Sequence, residues 1–105
     1  MTDDELNRTV AEIEGWKFLA SIDGRFAKWC PPGTHPAQNV YSLPDSPPPY
    51  TTDWAWCGPL IEKNSIAIEQ RSTWWCANNG LGGGWVTDDS LRRAICLAVI
   101  AANSR

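Results

Sequence analysis

The chain is poor in the residues that carry most nucleophilic and metal chemistry. It has one histidine, His35, which stands beside a proline in a proline-rich stretch. A single loop histidine is usually only a solvated side chain. A nucleophile pair of Cys30 and His35, or a zinc site that adds two other cysteines, lacks the spacing typical of such sites. We therefore expect no metal site and no catalytic cysteine.

Paired carboxylates and phosphate-binding motifs are equally scarce. Adjacent acids occur at Asp3-Asp4 and Asp88-Asp89, where helix N-termini are predicted and capping accounts for them. The sequence has no Walker loop, no metal signature and no nucleophile elbow. These absences predict a protein that is not an enzyme and that needs no cofactor.

An excess of positive charge and long hydrophobic runs are also missing. Nine basic residues stand against 12 acidic ones, for a net charge of −3, which argues against a duplex nucleic acid partner. The longest apolar run, Ala94 to Ala102, is too short to span a bilayer. The N-terminal residues do not show the basic start followed by an apolar run that marks a signal peptide. We expect a cytoplasmic protein without a membrane partner.

The four cysteines form no C-x-x-C pair. Cys30, Cys57, Cys76 and Cys96 each lie among aromatic or apolar residues. This pattern predicts reduced, buried thiols.

Residues 1–105 are of a size for a single domain, with a proline-rich loop at 30–50. Thr2 and Glu5 form a capping box, and an apolar stripe predicts a helix that ends at Gly15. Asp23-Gly24 then predicts a hairpin between strands at 16–22 and 25–29.

The second half repeats the order of helix and hairpin. Thr52 is the predicted N-cap of helix two, with a kink at Gly58-Pro59 and an end at Asn64. Alternating segments at 65–70 and 73–77 predict a second hairpin. Helix three follows from Leu91, and its surplus apolar surface suits a central helix or self-association. The predicted fold is α+β, with three helices and one antiparallel sheet of about four strands (α-β-β-α-β-β-α).

Seven tryptophans are the anomaly of the composition. Trp74 and Trp75 point to opposite faces of their strand, and several others lie beside loops, where indoles can stack on nucleobases. A sheet covered on both faces would bury such residues, so plain core packing stays open as an alternative. The glycine run 80–84 is a weak phosphate signal because acids follow it. The candidate ligand-binding residues are Trp29, Trp54, Trp56, Arg71, Trp75, Asn78, Asn79 and Trp85.

Three blocks of sequence are similar to those of a known family. They are Met1 to Glu12 with Gly15 to Lys17; Leu43-Pro44 with Tyr50 to Asp53 and Ile61 to Lys63; and Leu91 to Ala102. On these blocks the chain resembles the phage ABA-sandwich domain, a family of small bacteriophage and prophage proteins. The resemblance implies a sheet sandwiched by helices and expression inside an infected bacterium. It implies no settled activity, and Gly58-Pro59 departs from the family pattern.

That phage context selects among the functions open to a small tryptophan-rich protein. The first hypothesis is a sponge that sequesters a small nucleotide-type immune signal of the host, as a homo-oligomer in the host cytoplasm. The second is an inhibitor that binds a host protein through exposed tryptophans. The third is a small homo-oligomer without a ligand, whose tryptophans fill its core.

Overall fold

The computed structural model describes residues 1–33, 42–79 and 84–103, which contain three helices and five strands. No helix in these residues is long and apolar enough to cross a membrane. In chain order the elements are α1 (Asp3–Ile13), β1 (Lys17–Ala20), β2 (Ala27–Cys30), α2 (Trp54–Lys63), β3 (Ile66–Arg71), β4 (Trp74–Asn79), β5 (Val86–Asp88) and α3 (Leu91–Asn103).

The strands form two antiparallel sheets, which corrects the prediction of one four-stranded sheet. Strands β1 and β2 make a two-stranded sheet, and β3, β4 and β5 make a three-stranded sheet in that order. The first hairpin does not join the second because the proline segment lies along β2: the Trp29 N–H donates to the Pro44 carbonyl at 2.9 Å. The α+β class and the three helices are confirmed, whereas a sandwich arrangement is not confirmed.

Helix α1 begins at the predicted capping box. The Glu5 N–H donates to the Thr2 hydroxyl at 3.2 Å, and the Thr2 N–H donates to the Glu5 carboxylate at 3.3 Å. Leu6 and Val10 are fully buried, as the apolar stripe predicted. Gly15 follows the helix with a φ of +99°, a left-handed conformation that favours glycine.

Helix α2 differs from its prediction at the N-cap. The N-cap is Asp53 rather than Thr52, and its carboxylate accepts from the Ala55 N–H at 2.9 Å. The helix continues through Gly58-Pro59 to Lys63, with Pro59 inside it at the position where a kink is predicted. Pro59 lacks the N–H that would donate to the carbonyl of Ala55, a residue that is exposed at the surface.

Helix α3 is the central helix of the protein. It packs against α1, α2 and all three strands of the larger sheet. The side chains that seemed surplus, Leu97 and Ile100, are half-buried against the same core. Part of the apolar surface that suggested self-association is therefore covered within the chain.

The buried core joins the helices to both sheets. All four cysteines are buried and none of them forms a disulfide, as predicted. The buried cluster consists of Leu6, Val10, Ala11, Trp29, Tyr50, Cys57, Leu60, Ile66, Ala77, Ala94, Ile95, Cys96, Ala98 and Val99.

Candidate functional site

The three-stranded sheet has one face against α3. Ile68, Ala77 and Val86 lie side by side in the strand register and contact the core. Trp75 shares this face by alternation and is half-buried against the same core. The inner face is therefore a packing surface.

The opposite face of this sheet carries two exposed tryptophans. We call it the outer sheet face, formed by Ala67, Glu69, Arg71, Trp74, Cys76, Asn78, Trp85 and Thr87. Its register pairs Arg71 with Trp74, Ala67 with Asn78, and Cys76 with both Glu69 and Thr87. Trp85 directly precedes β5, and alternation places it on the side of Thr87.

Two large indoles flank the outer sheet face. Trp74 is 43% exposed and Trp85 is 52% exposed, although both are among the residues most costly to leave in water. Cys76 lies between them in the central strand and is buried by its neighbours. The face thus offers two flat aromatic surfaces beside a small, closely packed centre.

Polar groups on the same face are incompletely satisfied. Arg71 forms an exposed ion pair with Glu69, with Nε 3.0 Å from Oε1. The Oδ1 atom of the half-buried Asn78 is shielded from water and has no hydrogen-bond partner among the described residues. A buried acceptor without a partner costs about 1–3 kcal/mol.

The candidate tryptophans of helix α2 lie elsewhere and have partners within the chain. The Arg92 guanidinium carbon lies 5.3 Å from the centre of the Trp54 ring. Trp56 makes edge-to-face contacts with Trp16 at 6.0 Å and with Tyr50 at 6.1 Å. Both indoles are about two-fifths exposed, so these contacts cover only part of each ring.

The eight candidate residues therefore divide by location. Arg71, Asn78 and Trp85 lie on the outer sheet face, with Arg71 at one end of the strands and the other two at the opposite end. Trp54 and Trp56 lie at the start of α2, Trp75 is on the inner face, and Trp29 is 2% exposed in the core. Asn79 ends β4, but its side chain, like most of the glycine run, lies outside the described residues.

Trp74 is the residue that the candidate set missed. The Arg71–Trp74 pairing across a two-residue turn fixes the register of β3 and β4. Because Ile66 and Ile68 face the core, this register assigns Trp75 to the core side and Trp74 to the outside. The alternation and the turn length together were the available signal.

The shifted pKa values among the described residues reflect structural contacts. A hydrogen bond with Cys57, together with burial, raises the pKa of the Cys96 thiol, so Cys96 is a poor nucleophile at neutral pH. The capping contact with Thr2 lowers the pKa of Glu5. Burial raises the pKa of Tyr50 to about 12. None of these groups lies on the outer sheet face.

The described residues contain no cluster of metal-ligating side chains. Within residues 1–33, 42–79 and 84–103, no group of three His, Cys, Asp or Glu side chains could hold a metal ion. The alternative site of Cys30 and His35 includes His35, which lies outside the described residues.

Comparison with known proteins identifies the family of this chain. The family model described as bacteriophage P22, NinX matches residues 1–102, and the chain belongs to that family. No curated protein and no solved structure matches it. The match supports a small phage protein, as the resemblance implied, but the specific likeness to the ABA-sandwich domain is not confirmed.

Proposed function

We propose that this NinX-family protein binds a small nucleotide-type ligand on its outer sheet face and sequesters it without catalysis. The observation that carries the proposal is the pair of exposed indoles, Trp74 and Trp85, on the face of the sheet opposite α3. Stacking of a base on an aromatic side chain contributes about 1–3 kcal/mol. Two such surfaces would hold a ligand with more than one ring system.

The polar residues of the outer sheet face suit the rest of such a ligand. Arg71 and Glu69 are both well exposed, so their ion pair contributes little and opens readily. A phosphate can then take the place of the Glu69 carboxylate on the guanidinium and form two parallel hydrogen bonds. The side-chain amide of Asn78 adds an Nδ2 donor for a base edge.

The setting of this proposal is an infected bacterium. The family match supports a phage protein. Bacteria use cyclic oligonucleotides and related molecules as alarm signals during infection, and a sponge for such a signal needs enclosure rather than catalytic groups. We propose action in the host cytoplasm on this basis.

A thermal shift assay against cyclic dinucleotides, cyclic trinucleotides and ADP-ribose derivatives tests the proposal. Ligand at a hundred times its dissociation constant adds about 2.7 kcal/mol to the free energy of unfolding. For a domain of this size, the midpoint should rise by roughly 10 °C or more. A ligand found this way is then titrated against variants by calorimetry.

The variants separate the outer sheet face from other exposed aromatic surface. Trp74→Ala should weaken binding at least tenfold. Trp54→Ala is the matched control, because Trp54 is equally exposed at 43% but lies on α2. Equal losses in the two variants, or no shift with any compound, would overturn the nucleotide proposal.

The second candidate, inhibition of a host protein, rests on the same exposed indoles, which are common anchors of protein interfaces. It requires a purified host protein whose binding is lost in Trp74→Ala and retained in Trp54→Ala. Failure of the nucleotide panel makes this the next experiment.

A further inference from the structure

A cleft of about 400 Å³ lies on a different part of the protein from the outer sheet face. Its walls come from the first turns of α1, from the β1–β2 hairpin and from the proline segment before α2. This volume is at the lower end of small-ligand pockets, which are roughly 300–1,000 Å³. We propose that the cleft binds a small zwitterion with an apolar side chain, of the type of a free α-amino acid.

Arg8 supplies the site for the carboxylate of such a ligand. Its guanidinium carbon lies 5.5 Å from the centre of the Phe18 ring and 5.9 Å from that of Trp29. The aromatic rings hold the guanidinium in place without using its N–H donors. Within the described residues Arg8 forms no ion pair, so these donors can bind a carboxylate side-on.

Asn7 supplies a second donor with a fixed orientation. The backbone N–H of Thr51 donates to Asn7 Oδ1 at 2.9 Å, which identifies that atom as the oxygen. The amide nitrogen of Asn7 therefore remains as the donor of this side chain, and Asn7 lines the cleft beside Arg8. An anionic oxygen is the natural partner of both groups.

Acidic side chains in the same cleft distinguish a zwitterion from a plain anion. Asp4 precedes Arg8 by one helical turn and forms no ion pair with any described residue. Asp45, on the opposite wall, is paired with Lys28 at 2.5 Å. A phosphate carrying about two charges would be repelled by these carboxylates, whereas the ammonium group of an amino acid would be attracted to Asp4.

The apolar part of the ligand has its own surface. Phe18 is 43% exposed at the cleft, and Pro47 and Pro49 form part of the opposite wall. A hydrophobic or aromatic side chain would cover this surface. The cleft therefore combines one cation, one free carboxylate and an apolar wall, which is the complement of an apolar amino acid.

Calorimetric titration of the full chain with L-phenylalanine tests the inference. Two analogues each lack one charge: 3-phenylpropionate has no amine, and phenethylamine has no carboxylate. We expect both to bind at least tenfold more weakly than L-phenylalanine, and inorganic phosphate not to compete. Equal affinity for 3-phenylpropionate, competition by phosphate, or no binding of L-phenylalanine at millimolar concentration would overturn the proposal.

Asn7→Asp provides the sharpest variant. It keeps the oxygen that accepts from Thr51 but replaces the amide donor with a second anionic oxygen. We expect at least a tenfold loss of L-phenylalanine affinity without a large change in the thermal midpoint. Arg25→Gln is the control, since Arg25 pairs with Asp23 at the exposed hairpin turn and should bind like the unmodified protein. Unchanged affinity in Asn7→Asp and in Arg8→Gln would refute the assignment.

Discussion

At the scale of single residues, Thr51 has a buried hydroxyl without a hydrogen-bond partner. The residue is 3% exposed, and its Oγ1 atom contacts no donor or acceptor among the described residues. Its backbone, in contrast, is bonded to Asn7 and Arg92. The side chain therefore bears a desolvation cost that the backbone does not.

Replacement of this hydroxyl by a methyl group should stabilise the protein. We expect Thr51→Val to raise the free energy of unfolding by about 1 kcal/mol, because an unsatisfied buried polar group costs roughly 1–3 kcal/mol. Urea denaturation measures the change. Thr52→Val is the control at an exposed neighbouring position, with an expected effect within about 0.5 kcal/mol. A destabilised Thr51→Val protein would show that the hydroxyl has a partner.

Tyr50 makes stability depend on alkaline pH. Burial raises its pKa to about 12 from an ordinary value of 10, so the folded state holds the phenolic proton more tightly than the unfolded state. The contribution is fully present below pH 10 and is lost as pH rises from 10 through 12. We expect a loss of about 2 kcal/mol over that window, because each unit of pKa difference corresponds to about 1.4 kcal/mol and both states are half ionised at its ends.

The test compares two proteins, so that the contribution of Tyr50 is isolated. The free energy of unfolding of the unmodified chain should fall more steeply between pH 10 and 12 than that of Tyr50→Phe. Parallel curves would contradict the assignment. Because Tyr50 contacts Trp56, near-ultraviolet circular dichroism should report the same transition.

At the scale of elements, two glycines offer the same space but different backbone conformations. A Cβ added at Gly58 or at Gly24 would meet no atom within 4 Å. Gly58 lies within helix α2, whereas Gly24 has a φ of +76° in the turn between β1 and β2. A side chain is therefore tolerated by the helix and strained in the turn.

Alanine at these positions should change stability in opposite directions. We expect Gly58→Ala to raise the free energy of unfolding by about 0.5–1 kcal/mol, because alanine loses less backbone entropy. Gly24→Ala should lower it by about 1 kcal/mol or more, because of the left-handed conformation. Thermal denaturation of both variants decides the point. A destabilised Gly58→Ala protein would mean that α2 does not continue through Pro59.

Local sequence signals predicted the helices well and the sheets only in part. The capping box and apolar stripe of α1 depend on neighbours three or four residues away, and both are confirmed. Strand β5 was missed because it has only three residues and its pairing partner is in β4. The acidic residues before α3 were predicted to cap that helix. Asp88 instead belongs to strand β5, and Ser90 is the residue directly before the helix.

The sequence predicted that the candidate site contains tryptophans, but not which of the tryptophans are exposed. Composition and loop positions directed attention to the tryptophans, and three candidate residues share the outer sheet face. Trp29 sits beside a loop and is nonetheless buried, since β2 contacts both the proline segment and the core. Such long-range contacts leave no signal at the residue itself, so position in the chain could not separate buried indoles from exposed ones.

At the scale of the whole molecule, Arg93 connects both ends of the chain to the larger sheet. From α3 it forms an ion pair with Asp3, a second with Asp88 at 3.2 Å, and a hydrogen bond to the Met1 carbonyl at 2.6 Å. Hydrogen bonds with Asp3 raise the pKa of the guanidinium. The side chain is 25% exposed, so these bonds are partly shielded from water.

Loss of this connection should loosen two distant segments together. We expect Arg93→Met to lower the free energy of unfolding by about 1–3 kcal/mol, with faster amide exchange in the first turn of α1 and in β5. Arg93→Lys should recover only part of the loss, because an ammonium cannot reproduce the planar fork. Arg25→Met, at an exposed pair, should change stability by less than about 0.5 kcal/mol. Exchange that accelerates in only one of the two segments would disprove the connection.

The central position of α3 also determines when the protein can fold during its synthesis. Helix α1 leaves the ribosome first, but the surface that buries Leu6 and Val10 includes α3, which is made about 80 residues later. Until then the first helix has no permanent partner, and the sheet lacks the helix that covers its inner face. A chain that ended before residue 91 would lack α3 and would leave the inner face of its sheet open to proteases.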